Sequence, residues 1–236
     1  LCFKCLDDML AEGLDPANPA HRRKFALQVL ERFQSRMRQI VHQYHPEATI
    51  FFNQGHVGPA HRAIIHNFTH LELESLPSSG WGYMHLPVAQ RYSRAALGLP
   101  SLGMTGRFHT GWGDFNSWKN LAALEYEAFR AIAMGGACSI GDQLLPDGRL
   151  CPATYELIAK VYSRIEAVEP WCQDVEPVAD IAVLDPEEFT GKRLQRPIVG
   201  ATRMLQELKA QFDVIDTQTD LSPYRVVILP DEIPVD

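Results

Sequence analysis

Apolar and polar residues alternate over Thr69-His70-Leu71-Glu72-Leu73-Glu74-Ser75, and the chain breaks just after at Leu76-Pro77-Ser78-Ser79-Gly80. A period of two predicts a strand with Leu71 and Leu73 on one face and His70, Glu72 and Glu74 on the other. An antiparallel strand with one wet face carries the same signature. Three more short apolar runs end in polar residues in the same way: Thr49 to Asn53, Ser101 to Arg107 and Cys138 to Asp142. Each is separated from the next by enough chain for a crossover helix. Thr49 to Asn53 is apolar on both faces, as buried parallel strands are. In the run from Leu102, the residues Leu102, Met104 and Phe108 share one face, and Gly103, Thr105, Arg107 and His109 the other.

Between these runs the spacing turns helical. Phe25, Val29, Phe33, Met37, Ile40 and Tyr44 form a stripe on a long helix from Ala20 that Pro46 stops, with arginines forming a solvated face. Further helices are predicted over 84–97, 117–134 and 153–169, the second ended by Gly135-Gly136. From about residue 175 a fresh α/β pattern begins, with strands at 180–184, 212–215 and 225–229 and a helix at 200–211. Val226-Val227-Ile228-Leu229 has the character of a central parallel strand.

Strand and crossover repeated four times, with polar residues at each strand's C-terminal end, is the pattern of half a (β/α)8 barrel, whose active site forms at one rim. A doubly wound sheet competes, but no GxGxxG marks a strand-to-helix turn. The fold class is therefore α/β. Residues 1–174 read as half of a TIM barrel, and 175–236 as the beginning of a second α/β domain.

Composition narrows the partners. The 236 residues are 46% hydrophobic and 22% charged, with a net charge of −7 and no basic run. Nucleic acid and anionic membrane are thus poor partners. No apolar run reaches the ~18 residues of a membrane span, and no signal peptide is visible. Five cysteines without a regular framework suit a reducing, cytoplasmic setting. A start at Leu and an abrupt end suggest a fragment.

Candidate chemistry gathers at strand ends. Asn53 and His56 follow the first run, and Trp81 and Tyr83 the second. Arg107, His109 and the Gly/aromatic loop bearing Trp112 follow the third, and Asp142 and Gln143 the fourth. Glu72, Glu74 and Asp142 are the candidate catalytic carboxylates; Asn53, His56, His70, Trp81, Tyr83, Arg107, His109, Trp112 and Gln143 are the candidate substrate binders, and the Gly/aromatic loop suits a sugar or another flat ligand. Cys138 reads as a core residue. Cys2 and Cys5, in Cys-Phe-Lys-Cys, can supply two of the four ligands a structural zinc needs; no organic cofactor is expected.

Cys2-Phe3-Lys4-Cys5, His70 to Ser75, Leu102 to His109, Gly141-Asp142-Gln143 and Leu229-Pro230-Asp231-Glu232, in that order, resemble the C-terminal half of the barrel in glycoside hydrolase family 42 β-galactosidases. The relatives of that family include α-L-fucosidases and a "hypothetical glycosyl hydrolase" group. Residues 178–236 resemble the start of the β-galactosidase trimerisation domain, which implies a truncated flavodoxin-like (amidotransferase-like) domain over 175–236, after the C-terminal half of a TIM barrel over 1–174. The resemblance implies strands five to eight, a zinc cluster holding Cys2 and Cys5, a trimer when full length, and an acid/base glutamate on the fourth strand, before this chain. It also implies hydrolysis of oligosaccharides, with α-L-fucosidase or β-galactosidase as the activity. The family's nucleophile is the Glu of a Met-Glu pair on the seventh strand, matched here by Met104-Thr105.

Threonine cannot replace a carboxylate that forms a glycosyl-enzyme. Two readings follow. Either Glu74 is the substrate-facing carboxylate, with Glu72 deeper and holding Arg107 or His70, or Thr105 marks a non-catalytic sugar-binding paralogue. Glycoside hydrolysis needs two carboxyl groups ~5–5.5 Å apart (retaining) or ~6.5–9.5 Å apart (inverting). Residues i and i+2 of a strand lie about 6.6 Å apart, which separates neither case.

Overall fold

The computed structural model describes residues 2–235. Helix α1 (Phe3–Ala11) leads into the long α2 (Pro19–Tyr44), capped by the Asn18 side chain on the Ala20 amide. Strands β1 (Leu71–Glu74), β2 (Ser101–Gly106) and β3 (Ala137–Gly141) form a parallel sheet in that order. Helices α3 (His85–Tyr92), α4 (Leu121–Ala133) and α5 (Pro152–Val168) connect and follow them. Glu74 lies beside Met104, Gly103 beside Cys138, and Gly106 beside Gly141.

The register and the contacts fix the two faces. Leu71 and Leu73 pack with Leu86 of α3 and Ala131 of α4, and a Cβ on Gly103 would lie 2.8 Å from that of Ala131. This is the helix-covered face, with α5 behind α4 through Leu124, Ala128, Val161 and Ile165. Alternation then sends Glu72, Glu74, Leu102, Met104 and Ser139 to the opposite face, where they are half-buried.

A second parallel sheet has the order β5-β4-β6, from β4 (Ile181–Leu184), β5 (Asp213–Ile215) and β6 (Val226–Ile228). The short α6 (Glu187–Thr190) and α7 (Arg196–Glu207) lie between β4 and β5. The sheet changes near residue 175, and side chains from both sides of it pack together. Val88, Tyr92 and Ala96 form one cluster with Val183, Ile198, Leu205, Phe212 and Val214, and every residue of α3 is buried. Polar contacts reinforce the seam. Arg62 and Tyr92 bond Asp216, Arg94 pairs with Asp213, and Arg130 bonds Gln206.

Several expectations are corrected. Thr49–Asn53 is not a strand. The Thr69 hydroxyl takes the Ile50 amide at 2.7 Å, the Thr69 amide takes the Ile50 carbonyl, and only Gln54 bridges to Leu73. The connection from this segment to β1 is made of 3-10 turns, Pro59–Ala63 and Ile65–Asn67, instead of a crossover helix. The helix over 84–97 finishes as a π-turn, Ser93–Leu97. On α2, Phe25 is buried but Val29, Phe33, Ile40 and Tyr44 are exposed. Among the described residues β4 is central, flanked by β5 and by β6, whose Val226 and Val227 are exposed.

Candidate active site

Glu74 ends β1 on the uncovered face, and two side chains from distant parts of the chain converge on it. Trp112 Nε1 donates to Oε1 at 2.8 Å, and Asn53 Nδ2 donates to Oε2 at 3.2 Å. Each carboxylate oxygen thus has its own donor, which fixes the plane of the group.

The indole of Trp112 crosses the ends of the neighbouring strands. Its Cη2 would lie 3.6 Å from a Cβ on Gly106, and its Cζ3 2.8 Å from one on Gly141. These two glycines are register partners on β2 and β3. At Gly141 only hydrogen leaves room for the ring, which remains 39% exposed and packs edge-on against Phe108 at 5.4 Å. A carboxylate beside a partly open indole is chemistry suited to a sugar's hydroxyls and its apolar face.

Trp112 is carried on a loop with a buried base. Arg107 is 1% exposed. Its Nε donates to Asp142 at 2.8 Å, its Nη1 donates to the carbonyls of Asp114, Phe115 and Ser117, and its guanidinium lies over the Phe108 ring. The Lys119 amide closes the loop on the Arg107 carbonyl at 2.8 Å. Inside it, hydroxyls of Ser117 and Thr110 donate to Asp114 and hold that carboxyl below its ordinary range.

Arg107 and Asp142 thus meet each other and the loop; the second Asp142 oxygen is buried without a partner among the described residues. Glu72 holds His70, at 3.4 Å, and not Arg107. His70 precedes β1 and packs at a tilt against Phe51, about 13 Å along the strand from its Glu74 end. His109 is exposed and Gln143 half-buried beyond the ends of β2 and β3.

Thr105 is placed on the opposite face from Glu74. Its hydroxyl donates to Glu127 of α4 and accepts from Lys119 Nζ at 2.9 Å, while Lys119 pairs with Glu127 at 2.6 Å. Tyr83, expected at the rim, joins this cluster by donating to Glu127 at 3.3 Å, and burial raises its phenol's pKa. Lys119 and Glu127 were not legible as partners. A glutamate on an amphipathic helix normally reads as solvent-facing, and Lys119 lies in the loop before it.

A third group lies along the seam. Trp81 packs on His85 at 4.7 Å, and a Cβ on Gly55 would come within 2.9 Å of its ring. His56 is buried and bonds Glu187 of α6 at 2.7 Å, which makes it a contact between the sheets. Burial lowers His61 and His85 to about 4 and raises Asp185 to about 6. Cys2 and Cys5 sit at the start of α1 with sulfurs 3.3 Å apart. No third His, Cys, Asp or Glu joins them among the described residues. No helix among these residues is long and apolar enough to cross a membrane.

The whole chain superposes on the α-L-fucosidase isoenzyme 2 from Paenibacillus thiaminolyticus, with a TM-score of 0.93 and 41% sequence identity. The chain has the fold of a glycosidase segment. It spans 36% of that enzyme's length. A β-galactosidase from Bacillus circulans sp. alkalophilus matches 89% of the chain, with a TM-score of 0.70 at 16% identity, and the match again covers 36% of the longer chain. No protein-family model and no curated protein sequence matches.

Proposed function

We propose that this chain is the part of an α-L-fucosidase-like glycoside hydrolase that presents Glu74 to an oligosaccharide. The observation that carries the reading is the Glu74 carboxylate, held by Asn53 and Trp112 at the open end of a parallel strand. The 41% identity to an α-L-fucosidase favours the fucoside over the β-galactoside. On this reading β1 to β3 are the last strands of a (β/α)8 barrel, and the second carboxyl group that hydrolysis requires comes from a fourth-strand glutamate. Residues 175–236 begin a flavodoxin-like, trimerisation-type domain of a cytoplasmic trimer.

Thr105 meets Lys119 and Glu127 on the face away from Glu74, which is why we favour a hydrolase over the non-catalytic sugar-binding barrel. A structural zinc fits only as half a site. Ligands on one tetrahedral zinc with ~2.3 Å bonds sit about 3.8 Å apart, near the 3.3 Å between Cys2 and Cys5. Such a zinc would tie α1 to another segment and take no part in hydrolysis.

The test is hydrolysis of a panel of nitrophenyl glycosides, including α-L-fucoside and β-D-galactoside, by the full-length protein and its Glu74→Gln variant. Turnover of the fucoside that collapses in the variant is the expected result. Sugar binding without turnover of any glycoside would reject the hydrolase reading.

A further inference from the structure

The loop from Arg107 to Lys119 has no regular structure before Asn120, yet it delivers the indole that orients Glu74. Such a loop needs something to fix it. Its carbonyls at Asp114, Phe115 and Ser117 point inward to one guanidinium, which would leave an uncompensated buried charge were Asp142 not beside it. The strand ladder supplies the anchor, since the Arg107 amide donates to the Gly141 carbonyl at 3.0 Å. The planar guanidinium can address a carboxylate and several carbonyls at once, which an ammonium cannot.

We propose that Arg107, fixed by Asp142, is a positioning residue for the reaction: it gathers the 108–118 loop so that Trp112 lies over Gly106 and Gly141 and holds Glu74 in one orientation. Arg107 acts through the loop and touches no substrate. The inference rests on the proposed role of Glu74 for its effect on rate, but its structural half stands independently. Misplacing a reacting group by about 1 Å can cost ~10²-fold in rate, and the loop is one side chain removed from Glu74.

The experiment uses the full-length protein labelled with 5-fluorotryptophan, with the Trp112 fluorine resonance assigned by its disappearance in Trp112→Phe. In Arg107→Lys the Trp112 resonance should shift and broaden while those of Trp81 and Trp171 stay in place. Turnover of the responsive glycoside should fall by ~10²-fold, carried by kcat with KM within about twofold. Asp142→Asn, which keeps the shape and removes the charge, should move the same resonance in the same direction, and it serves as the readout if Arg107→Lys does not fold. An unmoved Trp112 resonance in the folded variants overturns the proposal, whatever happens to the rate. A fall confined to KM overturns it too, since that is the mark of a direct binder. Should the parent turn over no glycoside, the hydrolase reading fails while the resonance still decides the clamp.

Discussion

The indole N–H of Trp112 donates to the Glu74 carboxylate at 2.8 Å, across 38 residues of sequence. A hydrogen bond to a charged acceptor is worth ~1.5–3 kcal/mol. Trp112→Phe keeps a flat ring over the glycines but loses that donor. Steady-state kinetics on the responsive glycoside should therefore show kcat down ~10- to 100-fold, with the melting temperature little changed.

Gly106 and Gly141 are predicted to behave differently from each other. An Ala at 141 would bring its Cβ to 2.8 Å from Cζ3 of Trp112, whereas an Ala at 106 would meet Cη2 at 3.6 Å. Gly141→Ala should displace the indole and reduce kcat about as far as Trp112→Ala. Gly106→Ala should cost much less. Equal losses in the two variants would show that the ring does not lie as described.

Thr105→Glu is the direct test of where the missing carboxylate belongs. If position 105 were at the rim, the substitution would restore a nucleophile. In this structure it drives a second carboxylate into the buried Lys119–Glu127 pair, and leaving such a charge unpaired costs ~3–5 kcal/mol. Denaturant unfolding should show that loss, with no gain in hydrolysis.

Acid should weaken the seam between the sheets. His61 and His85 are held down to about 4 by burial, against ~6.5 in the unfolded chain. The unfolded state binds more protons between those values, so their contribution is complete above pH ~6.5 and is lost as pH falls toward 4. Asp185, raised to about 6 by burial, works with the opposite sign over much of that window. Two histidines against one aspartate leave a net loss on acidification. The melting temperature should be lower at pH 5 than at pH 7. The gap should narrow in His85→Phe, which removes a ring whose nitrogens have no partner. A gap of unchanged width would exclude His85 as a source.

Much of this site was legible in the residues because strands announce their faces. The alternation around Leu71 and Leu73 gave β1, its buried side and the outward glutamates, and the Gly/aromatic loop pointed to Trp112. What alternation alone could not give was which face of β2 was covered. Its polar set, Gly103 and Thr105, turned out to lie under α4, because Gly103 admits Ala131 and Thr105 has Lys119 and Glu127 to satisfy it. Nor could sequence tell a ligand-facing arginine from one consumed by its own loop, since carbonyl acceptors leave no trace in side-chain identity. The stripe on α2 shows the same limit from the other direction. Spacing predicts an apolar face but not what covers it.

The burial of α3 on all sides has a consequence for how the molecule is made. This helix and the π-turn after it follow β1, yet Val88, Tyr92 and Ala96 cluster with Val183, Ile198 and Phe212. On the ribosome these arrive roughly 90 to 120 residues later, some seconds at 5–20 residues per second. Until then the outer side of the crossover stays bare, and the strand carrying Glu74 has unfinished support. The later segment therefore completes the support of the earlier one, and a chain cut before β4 would carry every residue of the Glu74 cluster without the wall that holds them.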